Sequence, residues 1–293
     1  MGRSARALLT IAALAGAPPP AGAQTVTLRF RPPVGLEAQV LWQIGVRSTL
    51  IEGTDAPVAE AEAVGMRRLR YRVTGETGSG RNVRVERDTV RYEWRSSPRD
   101  WTDAAGAAEA AVGADLLVDE RLRVSVSDGP AAERERAELS AFAGGFEAPL
   151  PEEPVGAGDS WTADVVVPLA EPTGFEAEPD LGRWLARVDA MIARATFAVD
   201  SLVDRGNDTL VYLRVRGTFL PASLVAALEA AEGRSRVDGG FTGQLIWSTG
   251  WHTYVSGALR RSLRFLVLRG LPPDEEVAYG MTSETSLRFR IRR

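Results

Sequence analysis

The clearest strand pattern in the chain lies in residues 196–219, which read TFAVDSLVDRGNDTLVYLRVRGTF. Apolar and polar residues alternate on both sides of residues 205–208, where Gly206 and Asn207 are typical of a tight turn. Alternation with a period of two gives a strand one buried side and one solvated side. We therefore predict an antiparallel hairpin in which residues 196–203 pair with residues 209–219.

The same alternation recurs along the chain and predicts a β-rich domain. A second hairpin pairs residues 241–247 with residues 251–268 across a turn at 248–250. Arginines occupy the outward positions of the strands, whereas aspartates and glutamates cluster in the connections. Further half-buried strands are predicted at 25–31, 68–73, 90–94, 121–126 and 287–292, with further turns at 75–80, 128–129 and 238–240.

The spacing of apolar residues predicts helices in three segments. In residues 181–193, apolar residues such as Leu181, Trp184 and Leu185 recur at spacings of three and four. Residues 221–232 follow the same spacing, and residues 131–143 form a weaker third candidate. The predicted class is mainly β (α+β), a highly curved antiparallel sheet or half-barrel with two or three helices covering its concave side.

The first 23 residues have the features of an export signal. Arg3 and Arg6 precede the apolar run 7–17, and small residues follow at Ala21 and Ala23. The apolar run is too short to cross a bilayer core of about 30 Å as a helix. We expect an exported protein, periplasmic or secreted, with one domain at 24–293 that is not transmembrane after signal cleavage.

The composition excludes several kinds of chemistry. The chain has no cysteine and one histidine, which argues against disulfides, thiolate nucleophiles and nearly every zinc site. Its net charge of −4 argues against nucleic acid as the main partner. We expect neither a metal nor another cofactor. The outward arginines either solvate an exposed sheet face or dock on the phosphates of anionic lipid or lipopolysaccharide.

One motif invites a catalytic interpretation. Residues 158–160 read Gly-Asp-Ser, as in the nucleophile block of lipase-like esterases. Those enzymes need a histidine that takes the serine proton, commonly with an aspartate three residues before it. The single histidine is His252, and Thr249 stands three residues before it. We therefore rank a hydrolase using Ser160 or His252 last among the functional hypotheses, and we predict no catalytic residue.

Large side chains project from the apolar side of the predicted strands, and the first predicted helix adds one more. A curved sheet either packs such side chains in a dry core or keeps a cavity for a lipid or another apolar ligand. The candidate ligand-binding residues are Tyr71, Tyr92, Trp94, Trp161, Trp184, Trp247 and Phe265.

The segment 151–161 carries a family resemblance. It contains Pro154-Val155, Gly158-Asp159 and Trp161, the pattern Pro-Val-x-x-Gly-Asp-x-Trp, and a predicted strand ending at Pro168 follows it. This pattern resembles a group of secreted bacterial proteins and, in outline, half-barrel envelope proteins related to lipoprotein carriers. The resemblance implies a curved antiparallel sheet crossed by helices and a hydrophobic cargo, and it supplies no catalytic residue.

The leading functional hypothesis is a non-enzymatic exported protein that binds an apolar ligand, such as a lipid or a lipoprotein-like cargo, or an envelope partner. The alternative is a structural or interaction module of the cell envelope with a fully packed core and no ligand. Such a module would use its arginine-studded face and its acidic loops to contact another envelope component.

Overall fold

The computed structural model describes residues 24–52, 56–96, 102–104, 113–126, 149–168, 190–220, 234–269 and 276–292. These residues form strands, turns and extended connections, and none of them is helical. The strands in these ranges are β1 (Thr25–Val26), β2 (Glu37–Glu52), β3 (Ala56–Thr77), β4 (Gly80–Ser96), β5 (Thr102–Ala104), β6 (Gly113–Val118), β7 (Val124–Val126), β8 (Val155–Gly156), β9 (Ser160–Pro168), β10 (Ala190–Asp204), β11 (Thr209–Phe219), β12 (Arg234–Ser248), β13 (Thr253–Arg269) and β14 (Glu276–Arg292).

One antiparallel sheet contains twelve of these strands, in the order β7-β6-β4-β3-β2-β14-β13-β12-β11-β10-β9, with β5 also paired to β4. The chain builds it from two runs of consecutive antiparallel strands, β2 to β7 and β9 to β14. They meet where β14 pairs with β2, so that Leu287 lies opposite Ile44. The strands β7 and β9 therefore form the two ends of this order, and β1 and β8 make a separate short pair.

The predicted α+β class, with helices over the concave side, is wrong: the described residues are all-β. The window 181–193 runs into β10, which begins at Ala190. There, Met191 is buried while Ile192 is 42% exposed, so the burial follows a period of two. Pairing with β9 and β11 on both sides of β10 overrides the helical spacing of its first residues. The windows 131–143 and 221–232, and residues 181–189, lie outside the described residues.

Both predicted hairpins are confirmed. β10 pairs with β11 around residues 205–208, and β12 pairs with β13 around residues 249–252. The predicted turn at 238–240 is wrong, because these residues lie inside β12. Gly239 has a φ of 144°, and a Cβ there would overlap the backbone oxygen of Ser262 on β13. These glycines therefore mark a close approach of two strands rather than a turn.

Alternate side chains of the long strands enter one continuous buried cluster. On β2 the buried set includes Trp42 and Ile44, and on β14 it includes Leu287 and Phe289. We call this side the inner face and the opposite side the outer face. One row of residues in register crosses the sheet from β9 to β3, namely Trp161, Phe197, Val215, Gly243, Leu259, Leu287, Ile44 and Gly65.

Two hydrogen bonds show that this sheet is curved. The Leu150 amide donates to the Arg121 carbonyl beside β7 (3.0 Å), and the Gly158 amide donates to the Val199 carbonyl on β10 (2.8 Å). Residues 150 and 158 are separated by at most about 29 Å, since an extended residue spans roughly 3.6 Å. In a flat sheet, the nine spacings from β7 to β10 would measure about 43 Å at roughly 4.8 Å each. The sheet must therefore bend toward its inner face.

The segments 24–36 and 149–159 lie together between the two edges. β1 of the first segment pairs with β8 of the second. Phe30 donates its amide to the Glu120 carbonyl (2.9 Å), and Gly35 donates its amide to the Val73 carbonyl at the end of β3 (2.8 Å). Leu28, Phe30 and Leu150 are fully buried in the inner-face cluster. These segments therefore complete the core at this end of the sheet.

Gly257 provides a direct test of the inner-face packing. A Cβ at this position would overlap the ring of Phe289 and approach the Leu245 Cδ2 atom to 2.8 Å. We expect Gly257→Ala to lower the free energy of unfolding by about 1–3 kcal/mol through overpacking. The measurement is the midpoint of urea-induced unfolding. Gly78→Ala is the matched control, since a Cβ there has no atom within 4 Å. Equal midpoints for the two variants would contradict the packing described.

Candidate functional site

The structure places several predicted ligand-binding residues in the core of the inner face. Tyr71, Trp247 and Phe265 are each at most 1% exposed. Trp161 is partly buried, stacks on Phe197 at a ring distance of 5.1 Å, and donates its indole N–H to the Pro149 carbonyl at 3.0 Å. Three of the predicted residues are therefore buried in the core, and the fourth, Trp161, packs on the end strand β9.

The other predicted residues are only partly located. The backbone of Tyr92 pairs with Gly65, and that of Trp94 pairs with Ala63, so both stand in register with inner-face rows of β3. The side chains of these two residues, and the whole of Trp184, lie outside the described residues.

Three buried polar atoms distinguish one end of the inner face. They are Trp42 Nε1, Trp247 Nε1 and Tyr254 Oη, and none of them has a hydrogen-bond partner in the described part of the chain. We call these three residues the inner-face donors. Each of them is at most 2% exposed. Such groups are nearly always satisfied in folded proteins, by protein atoms or by ordered water.

The inner-face donors occupy neighbouring rows. Trp42 lies opposite Phe289, which lies opposite Gly257. Trp247 pairs with Tyr254 closer to the β12–β13 turn, and their rings meet edge to face at 5.0 Å. Burial raises the pKa of the Tyr254 phenol well above its ordinary value. The phenol therefore stays neutral and keeps a proton that it can donate.

Asp208 positions the β12–β13 turn, which lies next to two of the inner-face donors, Trp247 and Tyr254. Its carboxylate accepts hydrogen bonds from the Ser248 hydroxyl (2.7 Å) and the Gly250 amide (2.7 Å). Thr249 also donates its amide to the Thr209 carbonyl (3.1 Å). The β10–β11 and β12–β13 turns are thus tied together beside Trp247.

The opposite end of the inner face is polar. Ser48 and Ser283 are buried, with their hydroxyl oxygens 3.3 Å apart. Arg261 is only 7% exposed and donates to the Thr285 hydroxyl at 3.0 Å. The buried face thus changes from aromatic to hydroxyl-bearing along the strands. Arg261 departs from the predicted outward placement of arginines.

The Gly-Asp-Ser-Trp segment has a clear structural role. Gly158 has a φ of 91°, and the Asp159 carboxylate accepts the Gly156 amide at 2.7 Å. The Val199 amide of β10 donates to the Asp159 carbonyl at 2.8 Å. The segment therefore forms a tight turn that starts β9 and attaches it to β10.

The geometry does not bring Ser160 and His252 together. Ser160 is exposed and shares a row with Ala198, Arg214 and Gln244. That row places it three strands from β12, or about 14 Å at roughly 4.8 Å per strand. His252 lies further along, in the β12–β13 turn. A serine and its general base must lie within about 3 Å of each other.

Two other kinds of feature are absent from the described ranges. These ranges contain no group of three or more histidine, aspartate or glutamate side chains that could hold a metal ion. They also contain no helix that is long and apolar enough to cross a membrane.

No protein-family model matches the chain. No curated protein matches it either. Among solved structures, one on the lipid–protein interactions of lipovitellin is similar over 90% of this chain, with 12% identity and a TM-score of 0.47. This chain spans 25% of the lipovitellin chain.

Two further structures have lower scores. An outer membrane channel from Pseudomonas putida F1 is 9% identical, with 94% of this chain and 100% of that chain covered and a TM-score of 0.26. DynF from the dynemicin biosynthesis pathway of Micromonospora chersina is 10% identical, with 92% and 85% covered and a TM-score of 0.18. Likenesses at this level carry no argument about function, and the resemblance to lipoprotein carriers stays a prediction.

The role of the Gly-Asp-Ser-Trp segment can be measured. We expect Asp159→Ala to lower the free energy of unfolding by about 0.5–1.5 kcal/mol, because the Gly156 amide loses its acceptor. Ser160→Ala is the adjacent control and should change it by less than about 0.5 kcal/mol, as for an ordinary surface substitution. Thermal unfolding followed by circular dichroism measures both. A larger loss in the serine variant would contradict the role of the Asp159 carboxylate in this turn.

Proposed function

We propose that this protein is a non-enzymatic, exported binding protein that holds an apolar ligand against its inner face. The inner-face donors carry the proposal, because they are buried polar atoms for which the described residues supply no partner. The ligand has an apolar body and at least one hydrogen-bond acceptor oxygen. Export to the periplasm or the exterior is supported by the signal-like residues 1–23.

Unsatisfied buried donors are costly in comparison with the stability of a domain. Leaving a buried donor unsatisfied costs about 1–3 kcal/mol. Three such groups would together cost a large part of the stability of a domain, about 5–15 kcal/mol. An acceptor from outside the chain removes this penalty. The aromatic surroundings of Trp247 and Tyr254 favour an acceptor that is attached to an apolar molecule over water alone.

The chemistry of the donors narrows the class of ligand. Indole N–H groups donate only, and the neutral Tyr254 phenol donates as well. Together they match the ester, carbonyl or carboxyl oxygens of an acyl lipid. A lipid or lipoprotein-like cargo fits this description.

Native mass spectrometry of the full-length chain tests the proposal. Protein isolated from the periplasm of an expressing bacterium should carry an additional mass that organic extraction releases as an acyl lipid. The delipidated preparation of the same protein is the control. A periplasmic preparation with only the mass of the mature chain would overturn ligand binding, and retention in the cytoplasm would overturn export.

Removing one donor gives a second test. If a ligand oxygen accepts from Tyr254, Tyr254→Phe should lower the free energy of unfolding by about 0.5–1.5 kcal/mol in the ligand-bound preparation. In the delipidated preparation the same change should be neutral or stabilising, because an unsatisfied group is removed. Trp161→Phe is the control, since its indole donates to Pro149 of the same chain. It should lower stability equally in both preparations. An equal effect of Tyr254→Phe in both would contradict a ligand at this hydroxyl.

A further inference from the structure

Several arginines on the outer face are matched by carboxylates on neighbouring strands. Arg47 lies 2.6 Å from Glu62, and Arg194 lies 2.9 Å from Asp164. The guanidinium of Arg194 lowers the pKa of the Asp164 carboxyl, which therefore stays ionised in mildly acidic solution. These pairs neutralise the outer face locally, as cross-strand ion pairs on sheets generally do.

The central strand β14 departs from this pattern. Arg288, Arg290 and Arg292 point to the outer face at every second position and are exposed. Arg288 lies between Gln43 of β2 and Ala258 of β13, and Arg290 lies between Leu41 and Ser256. None of these immediate neighbours is acidic, and no ion pair is found for the three arginines within the described residues. The row of positive charge is therefore not neutralised there.

A hollow lies along the same row on the outer face. One cavity of about 550 Å³ is lined by Arg288, Arg290 and Arg292 together with Leu41, Tyr212 and Ile246. A second cavity, of about 860 Å³, adjoins it through shared lining residues, among them Gln43 and Arg288. These volumes fall in the range that binds small organic molecules.

From these features we infer that the outer-face hollow binds the headgroup of an anionic phospholipid. The phosphate accepts bidentate hydrogen bonds from Arg288 and Arg290, which are two residues apart on one strand, or about 6.8 Å. The glycerol and upper acyl chain contact Leu41, Tyr212 and Ile246, which form the uncharged wall of the cavity. A bound lipid would cover this uncharged wall, whereas free phosphate would leave the wall exposed to solvent.

The site is separate from the inner-face donors, because it lies on the opposite side of the same sheet. Asp200 also lines the first cavity, but it pairs with Arg214 at 2.9 Å and is therefore neutralised. The net charge of the whole chain is −4, so general attraction to anionic lipid is not expected. Binding of an anionic lipid would therefore depend on this local row of arginines.

The test uses isothermal titration calorimetry with dihexanoyl phosphatidylglycerol below its micelle concentration. The full mature chain should bind it and should bind dihexanoyl phosphatidylcholine or inorganic phosphate at least tenfold more weakly. Arg288→Gln combined with Arg290→Gln should weaken phosphatidylglycerol binding at least tenfold. Arg47→Gln combined with Arg194→Gln removes the same charge from the paired arginines and should change the affinity less than twofold.

Four outcomes would overturn the inference. They are no binding of phosphatidylglycerol, equal binding of phosphatidylcholine, equal binding of inorganic phosphate, and equal loss of binding in both double variants. Circular dichroism checks that the variants fold. If the glutamine variant of the β14 row unfolds, Arg288→Lys combined with Arg290→Lys keeps the charge and removes the bidentate geometry. That variant should still weaken binding severalfold, and unchanged affinity would contradict the guanidinium contacts.

Discussion

The structure depends on one geometric constraint, the short connection between the β6–β7 turn and β10. Residues 150–158 are fixed at both ends by backbone hydrogen bonds, and this chain length is too short for a flat sheet. The sheet therefore bends around its own apolar side, and side chains from distant strands meet in one cluster. Burial of a side chain such as Leu245 or Phe289 contributes about 1.5–3 kcal/mol. The curvature therefore gives this long antiparallel sheet a buried core.

Curvature also gives the two faces different chemistry. The inner face excludes water, so polar atoms on it must find partners, and the inner-face donors have none among the described residues. The outer face is solvated, and its exposed ion pairs contribute only about 0–1 kcal/mol each. Such pairs therefore determine where charge is neutralised on the surface, and they add little to the stability of the fold. The unbalanced arginines of β14 are informative for that reason.

Sequence reasoning predicts the local pairing and misses the larger arrangement. Both hairpins and the strand after Gly158 follow from alternation and turn residues, because these signals are local. The helix prediction at 181–193 is wrong at its end, since Met191 and Ile192 fit either period and only their neighbours in the sheet decide between them. The pairing of β14 with β2 joins the last strand of the chain to its first long one, and no local pattern predicts it.

Sequence reasoning also misses β2 and the outer-face hollow, for a related reason. Leu41 is apolar on the outward side, so the run Val40-Leu41-Trp42 interrupts the alternation and conceals the strand. The same Leu41 lines the cavity beside Arg290. Because the sequence pattern does not reveal β2, it also does not reveal Trp42, which is one of the inner-face donors. The sequence signal for the outer-face hollow was the interrupted alternation at residues 40–42, together with the arginines of β14 that have no acidic neighbours.

The curvature itself can be measured by double electron–electron resonance between spin labels at Arg123→Cys and Asp200→Cys. The chain contains no cysteine, so both labels attach only where they are introduced. Both positions are exposed, one on the β6–β7 turn and the other on β10. The bent sheet predicts a main distance clearly below about 40 Å, because the 150–158 connection holds the two positions closer together than a flat sheet would. A main distance of about 40 Å or more, as the strand spacing of a flat sheet requires, would contradict the account.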